Sequence, residues 1–302
     1  MPERIVALGE VLFDCFPSGE RLLGGAPANC VFHACQTGME GVVISAVGKD
    51  ALGDEAIRLL EKKGLTLCLQ RVDHPTGQVL VTVDEKGDCS YEIALGSAWD
   101  NIPLTPETLS LADSCRAVTV GSLAQRCEVS RSTIQAFLKR AAAREDCLVV
   151  FDINLRQQYY SLEVIEETLF FSGILKINDE ELSVLARLMD EENRQEAAFC
   201  RHLIKTYNLR MVILTMGSGG SKVYTMSDVT YAEAEKVDVV STVGAGDAFT
   251  GVFISSLLKG KTIEMAQKLA TRCAAFVCRH AGAMPEFPED ILGDQSCWGM
   301  ER

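Results

Sequence analysis

An α/β fold is what this sequence predicts: a central, mostly parallel sheet flanked by helices on both faces, with a small β-sheet lid beside it. Three observations carry that expectation. Short β-branched runs alternate with stretches of helical periodicity along most of the chain, which is the rhythm of strand, crossover helix, strand. One region, residues 76–99, breaks the rhythm with two strand-like runs and no helix between them. And 302 residues, 47% of them hydrophobic, supply enough apolar surface for a large core.

Taken in order, the core strands fall at residues 5–9, 42–47, 117–120, 148–152, 173–177 and 211–215, each a brief run rich in Val, Ile and Leu. The helices fall at 28–37, 53–63, 129–144, 162–171, 179–189, 196–207, 248–259 and 263–279, where apolar residues recur three and four apart. In the interrupting region, 78–84 and 90–95 form a hairpin around Glu85-Lys86-Gly87-Asp88. Residues 12–23, with Pro17-Ser18-Gly19 as a turn, add to it. These pieces read either as a lid beside the main sheet or as an antiparallel edge of it. With no internal repeat or linker, one domain over 1–302 is expected, with 12–23 and 76–99 as its β excursion.

Composition removes several classes of function. Lys and Arg total 29 against 42 Asp and Glu, a formal charge of −13, which disfavours nucleic acid and anionic membranes as partners. No run of eighteen apolar residues occurs, and the first residues lead straight into a strand without a basic region and apolar leader, so a cytoplasmic protein is expected. The twelve cysteines are scattered through apolar segments without a Cys-x-x-Cys pair, as free buried thiols would be. The four histidines have no ligand spacing, so no metal cage made wholly of protein is expected.

The segment most informative about chemistry is Ser241-Thr242-Val243-Gly244-Ala245-Gly246-Asp247-Ala248-Phe249. It sets a lone carboxylate in the first turn of a helix, behind small residues that let backbone N–H groups reach an anion. An anion cradle beside a base suits phosphoryl transfer to a hydroxyl; a plain helix cap would have the same residues. Other polar residues end strands on the same sheet edge: Asp14, the run Gly24-Gly25-Ala26-Pro27-Ala28-Asn29, the run Asp152-Ile153-Asn154-Leu155-Arg156, Asn178 to Glu181, and Thr215 to Gly220. P-loop, dinucleotide-binding and Gly-x-Ser-x-Gly hydrolase signatures are absent.

In this order, Gly24-Gly25-Ala26-Pro27-Ala28-Asn29, Gly48-Lys49-Asp50-x-x-Gly53, Asn178-x-x-Glu181, Thr215-x-Gly217-x-x-Gly220 and Gly244-Ala245-Gly246-Asp247 resemble the motifs of ribokinase-like (PfkB-type) sugar kinases, from about Ile5 to Pro288. The first of these, with the 152–156 run, looks most like the fructokinase branch. The resemblance implies ATP and Mg2+ as cofactors and transfer of the γ-phosphate to a primary sugar hydroxyl, the 6-hydroxyl of D-fructose first among them. It implies Asp247 as general base and an anion hole from the backbone of Gly244, Ala245, Gly246 and Asp247. Asp14, Gly25, Asn29 and Arg156 become sugar contacts. Asn178 and Glu181 become the residues that hold Mg2+ through water, and Thr215, Gly217 and Gly220 the nucleotide turn, with adenine against apolar residues between Thr242 and Ala275.

One position departs from the pattern: Ser241 stands where the family commonly has Asp, next to a loop where members often bind K+. The carbonyls of Thr242, Ala275 and Ala283 remain as K+ donors. Arg156 also suits a carboxylate, which keeps 2-keto-3-deoxygluconate kinase as an alternative, ahead of ribokinase and nucleoside kinase. A non-catalytic sugar- or nucleotide-binding protein on the same scaffold is the alternative of a different class. Because family members often associate through the lid, a homodimer through it is also expected.

Overall fold

The computed structural model describes residues 3–83 and 89–293. Its main sheet has nine strands in the order β13-β12-β11-β10-β9-β8-β1-β4-β5. Seven of these run parallel: β1 (Arg4–Leu8), β4 (Glu40–Gly48), β5 (Thr66–Val72), β8 (Ala117–Val120), β9 (Leu148–Asp152), β10 (Ile174–Asn178) and β11 (Met211–Thr215). At one end β12 (Ser221–Tyr224) and β13 (Val229–Ala232) continue the sheet antiparallel. All six expected core strands are present, with ends shifted by a residue or two. The edge strand β5 and the β12–β13 ribbon lack the continuous apolar runs of the interior strands and were not anticipated.

Alternation along each interior strand feeds two separate cores, because successive side chains point to opposite faces. Val6 and Leu8 of β1 join Val118 and Val120, Val149 and Phe151, and Val212 and Leu214 on one face. Ile5 and Ala7 join Ala117, Val150, Met211 and Ile213 on the other. The first face is covered by α3 (Pro106–Ser114), α4 (Glu128–Ala142), α5 (Leu162–Phe171), α6 (Asp179–Leu188) and α7 (Glu196–Tyr207). The second is covered by α1 (Ala26–Gln36), α2 (Ala51–Lys62), α8 (Ala245–Leu258) and α9 (Ile263–Cys278), with α10 (Glu289–Leu292) at the end of the described chain. A fully buried side chain such as Phe151 or Phe253 contributes about 1.5–3 kcal/mol by leaving water.

Helices α1, α2 and α8 begin two or three residues earlier than their periodicity suggests. Helix α1 starts at Ala26 with Pro27 in its first turn, where a missing N–H costs no helical hydrogen bond. Helix α8 starts at Ala245, so the residues expected to precede it already have helical geometry. Its Gly251 is what brings α8 onto α1: a Cβ there would meet the Cys30 carbonyl oxygen at 2.2 Å. This contact lies one turn beyond Asp247 and one residue beyond Asn29, so helix packing decides that the two side chains meet.

The segments at 12–23 and 76–99 supply a second, four-stranded sheet, not an edge of the first. Its order is β3-β2-β6-β7, from β2 (Leu12–Cys15), β3 (Arg21–Gly24), β6 (Gly77–Val83) and β7 (Cys89–Ile93). The strands of the expected hairpin, β6 and β7, do pair antiparallel, and β2 joins β6 in parallel. Asp84 and the turn Glu85-Lys86-Gly87-Asp88 lie outside the described residues. Asp50, from the Gly48-Lys49-Asp50 turn, fastens this sheet to the main one. It caps α2 through the Gly53 N–H at 2.7 Å and accepts from the Thr76 N–H and hydroxyl at 2.8 and 2.6 Å, just before β6. Those donors outweigh burial and hold its pKa below the usual value.

Candidate active site

Asp247 is the third residue of α8, after Ala245 and Gly246, and Gly244 is the residue that caps the helix. Gly244 has φ 83°, and a Cβ there would meet the Ala283 Cβ at 2.5 Å, so only glycine admits both the turn and the loop against it. The consequence is a helix N-terminus whose first N–H groups have no intrahelical acceptor, with a carboxylate beside them. Asn29 donates its Nδ2 to Asp247 Oδ2 at 2.8 Å from α1. Asn29 is 3% exposed, and its Oδ1 has no hydrogen-bond partner, leaving a buried acceptor open for a ligand. Burial raises the Asp247 pKa to about 6, with Asp152 adding to the rise and Asn29, Lys176 and Arg156 opposing it.

Beneath that helix start lies a buried polar chain that reading the sequence did not assemble. Lys176 Nζ donates to Asp152 Oδ1 at 3.0 Å, and the Thr250 hydroxyl donates to Asp152 Oδ2 at 2.8 Å and lies 3.0 Å from the Gly246 carbonyl oxygen. Burial works against the Lys176 charge, but Asp152 and Glu181 outweigh it and raise its pKa. A lysine inside an apolar β-strand, in Ile174-Leu175-Lys176-Ile177, was the available signal; a charge there needs a buried partner.

Glu10 is the other residue missed. It follows the first strand, is 4% exposed, and shares a small cavity with Ala26, Pro27, Cys30, Thr119, Asp152, Asn154 and Asp247. Burial lifts its pKa to about 7, the Asp247 charge adding to the rise while its own and the Ala26 N–H groups and Arg156 act against it. Gly25, with φ 121°, packs against this residue: a Cβ on it would lie 2.3 Å from the Glu10 carbonyl oxygen. Asp14 on β2 is half-buried, its pKa raised by burial and countered by Arg156. Arg156 itself is exposed beyond β9, and its charge acts on Glu10, Asp14 and Asp247 together.

Asn178 and Glu181 form a reciprocal cap on α6: Asn178 Oδ1 accepts the Glu181 N–H at 2.8 Å, and Glu181 Oε2 accepts the Asn178 N–H at 2.9 Å. Glu181 Oε1 accepts the Leu155 N–H at 2.9 Å. Glu181 is 9% exposed, which excludes an ordinary surface helix position. Thr215 pairs in register with Asn178 on the neighbouring strand and leads into the turn holding Gly217 and Gly220. These residues therefore sit beside the α6 cap, and Lys176, two residues before Asn178, links that side to Asp152.

The remaining positions lie around the Gly244 turn. The Ala283 carbonyl accepts from His33 Nε2 at 2.8 Å, and burial keeps that histidine neutral, with a pKa lowered to about 4. The Thr242 carbonyl accepts the Ala245 N–H at 3.3 Å, Ser241 receives the Val243 N–H at 3.2 Å, and Ala275 lies in the last turn of α9. A larger cavity of about 680 Å³ lies elsewhere, between β13 and α9, and is lined by none of the expected site residues.

The chain as a whole has counterparts among known proteins. A family model described as pfkB family carbohydrate kinase matches residues 15–290. The chain belongs to the pfkB family. Among curated relatives, the Escherichia coli fructokinase is 28% identical over 306 residues, covering 95% of this chain and 97% of that protein. The ATP-dependent 6-phosphofructokinase of Thermoanaerobacterium thermosaccharolyticum is 25% identical, covering 94% and 91%. A Vibrio cholerae fructokinase double mutant, solved with fructose, ADP and potassium bound, superposes with a TM-score of 0.78 at 23% identity, over 93% of this chain and 94% of that one; this last likeness speaks for the fold. This pfkB kinase is thus an ATP-dependent sugar kinase with a ribokinase-like fold. Among its described residues, no helix is long and apolar enough to cross a membrane.

Proposed function

We propose that this pfkB kinase transfers the γ-phosphate of ATP to the 6-hydroxyl of D-fructose, with Asp247 as the general base. The observation that carries this reading is the Asn29–Asp247 pair at the N-terminus of α8, with an unpartnered amide oxygen beside the carboxylate. The acceptor oxygen gives its proton to Asp247 as the new O–P bond forms and the bond to ADP breaks. The N–H groups of Gly246 and Asp247, and that of Ala245 on giving up its 3.3 Å bond to the Thr242 carbonyl, would face the charge on the moving phosphoryl group. Asp14 and Asn29 suit neighbouring sugar hydroxyls, since one accepts hydrogen bonds and the other both donates and accepts. A cavity edged by Glu10, Asp152 and Asp247 favours a neutral polyol over an anionic acceptor.

Glu181 and Asn178 would hold Mg2+ through water; both Glu181 oxygens are already oriented by N–H groups and keep lone pairs free. The metal supplies charge neutralisation for the phosphates. Exposed Val243, beside Thr242, would edge the adenine site, next to the Thr215, Gly217 and Gly220 turn. K+ would find carbonyls of Thr242, Ala275 and Ala283 but no carboxylate at Ser241, which makes activation by K+ weak. Exposed Leu80, on the face of the small sheet opposite Asp14, supports its reading as a lid through which two copies pair.

Arg156 supports a second acceptor, 2-keto-3-deoxygluconate, because its guanidinium has no ion-pair partner among the described residues. Coupled ADP release across fructose, 2-keto-3-deoxygluconate, ribose and adenosine, in KCl and in NaCl, separates these. Fructose is expected to turn over best, and Asp247→Asn to lose about 10²–10⁴-fold in kcat. Silence with every acceptor would refute the kinase; full turnover in Asp247→Asn would refute the base.

A further inference from the structure

Three carboxylates, Asp152, Asp247 and Glu181, act on the buried ammonium of Lys176 from the end of β9, from α8 and from α6. Such a cluster repels a polyphosphate unless a cation offsets it. Lys176 is the buried cation among them, 7% exposed on β10, and its place relative to the helix start is fixed from two sides. Asp152 holds Nζ at 3.0 Å while taking the Thr250 hydroxyl with its other oxygen. Thr250 in turn lies 3.0 Å from the Gly246 carbonyl. A Cβ on Gly246 would lie 3.0 Å from Nζ, so the ammonium packs against a position of that turn that carries no side chain.

We propose that Lys176 is a positioning residue for phosphoryl transfer, a buried cation set behind Gly246 that balances the surrounding carboxylates and lets the N-terminus of α8 receive the transferring phosphate. The inference rests on the kinase reading given above. Lys176 keeps its proton throughout. The O–P bond forms from the acceptor oxygen, the bond to ADP breaks with its electron pair on ADP, and the acceptor proton goes to Asp247. Throughout, Lys176 offsets negative charge that is already present in the ground state and crowds the site as phosphate enters. A salt bridge kept only for stability would have no such dependence on phosphate.

The test separates charge from folding. Lys176→Met leaves Asp152 buried without its cation, so the double variant Lys176→Met/Asp152→Asn, which removes both charges, is measured beside it, with Lys176→Arg as the conservative replacement. Binding of a non-hydrolysable ATP analogue, which carries the third phosphate, is followed by calorimetry; it needs no acceptor and reads the site even if every sugar fails, an outcome that would count against the kinase reading alone. The expected result is about tenfold weaker binding of the analogue in folded Lys176→Met, with a smaller loss in the double variant, whose local charge equals that of the wild type. Where an acceptor turns over, kcat falls by about 10²–10³-fold with the sugar KM little changed, and Lys176→Arg recovers part of it. Wild-type affinity for the analogue and wild-type kcat in folded Lys176→Met would overturn the proposal, as would a double variant that loses as much as Lys176→Met, or equal loss in Lys176→Arg and Lys176→Met.

Discussion

At the level of single residues, the site works by taking carboxyl groups out of water next to one another. Glu10 and Asp247 share one cavity, and burial is the largest cause of the rise in both pKa values, to about 7 and about 6. Both are raised above the ordinary carboxylate range, so their contribution to stability is full below about pH 4 and lost as pH rises through 6 and 7. In Glu10→Gln one of the two no longer charges. The loss of melting temperature between pH 5 and pH 8, followed by calorimetry without ligands, is therefore expected to be smaller than in the wild type. Glu10 is the later of the two to charge and is still mostly neutral as Asp247 loses its proton, so the same variant is expected to leave the acid limb of kcat/KM in place. A limb moved to lower pH would mean that Glu10 charges first and raises the Asp247 pKa. Nothing in Gly9-Glu10-Val11 marked Glu10 as special, because its chemistry comes from what is packed around it; Asp247 was legible because small residues and a helix start surround it in sequence.

At the level of elements, the strand ends deliver the polar groups and the helix starts receive the charge. The α6 cap shows how local chemistry serves both stability and site: Asn178-x-x-Glu181 satisfies two orphan N–H groups while fixing a carboxylate at the sheet edge. The α2 cap does similar work across elements, since Asp50 also holds Thr76 ahead of β6. Asp50→Ala is expected to cost about 0.5–2 kcal/mol for the cap, with a further loss for the Thr76 donors left behind, measured by urea unfolding. If the small sheet closes over the sugar, the same variant raises the KM for sugar more than that for ATP; equal changes in both would place the effect on stability alone. The caps were legible as motifs, but the partner of Asp50, twenty-six residues away, was not.

For the whole molecule, two apolar faces of one parallel sheet give the core, and a second sheet stands at its edge. That small sheet has β3 and β7 as its edge strands, and its exposed Leu80 is the kind of surface that a second copy covers. Light scattering is expected to give a dimer, and Leu80→Lys to shift it toward monomer; a monodisperse wild-type monomer would remove the lid interface. By itself the sequence determined the fold class, the interior strands, most helices and the helix-borne Asp247, because hydrophobic period, glycine turns and caps are local and act over a few residues. Only the tertiary structure decided that Asn29 meets Asp247, that Lys176 lies behind Gly246 and that Glu10 loses its water. Those outcomes depend on how α1, α8 and β10 pack, and on the low-dielectric surroundings that packing creates, neither of which is written at any one position of the chain.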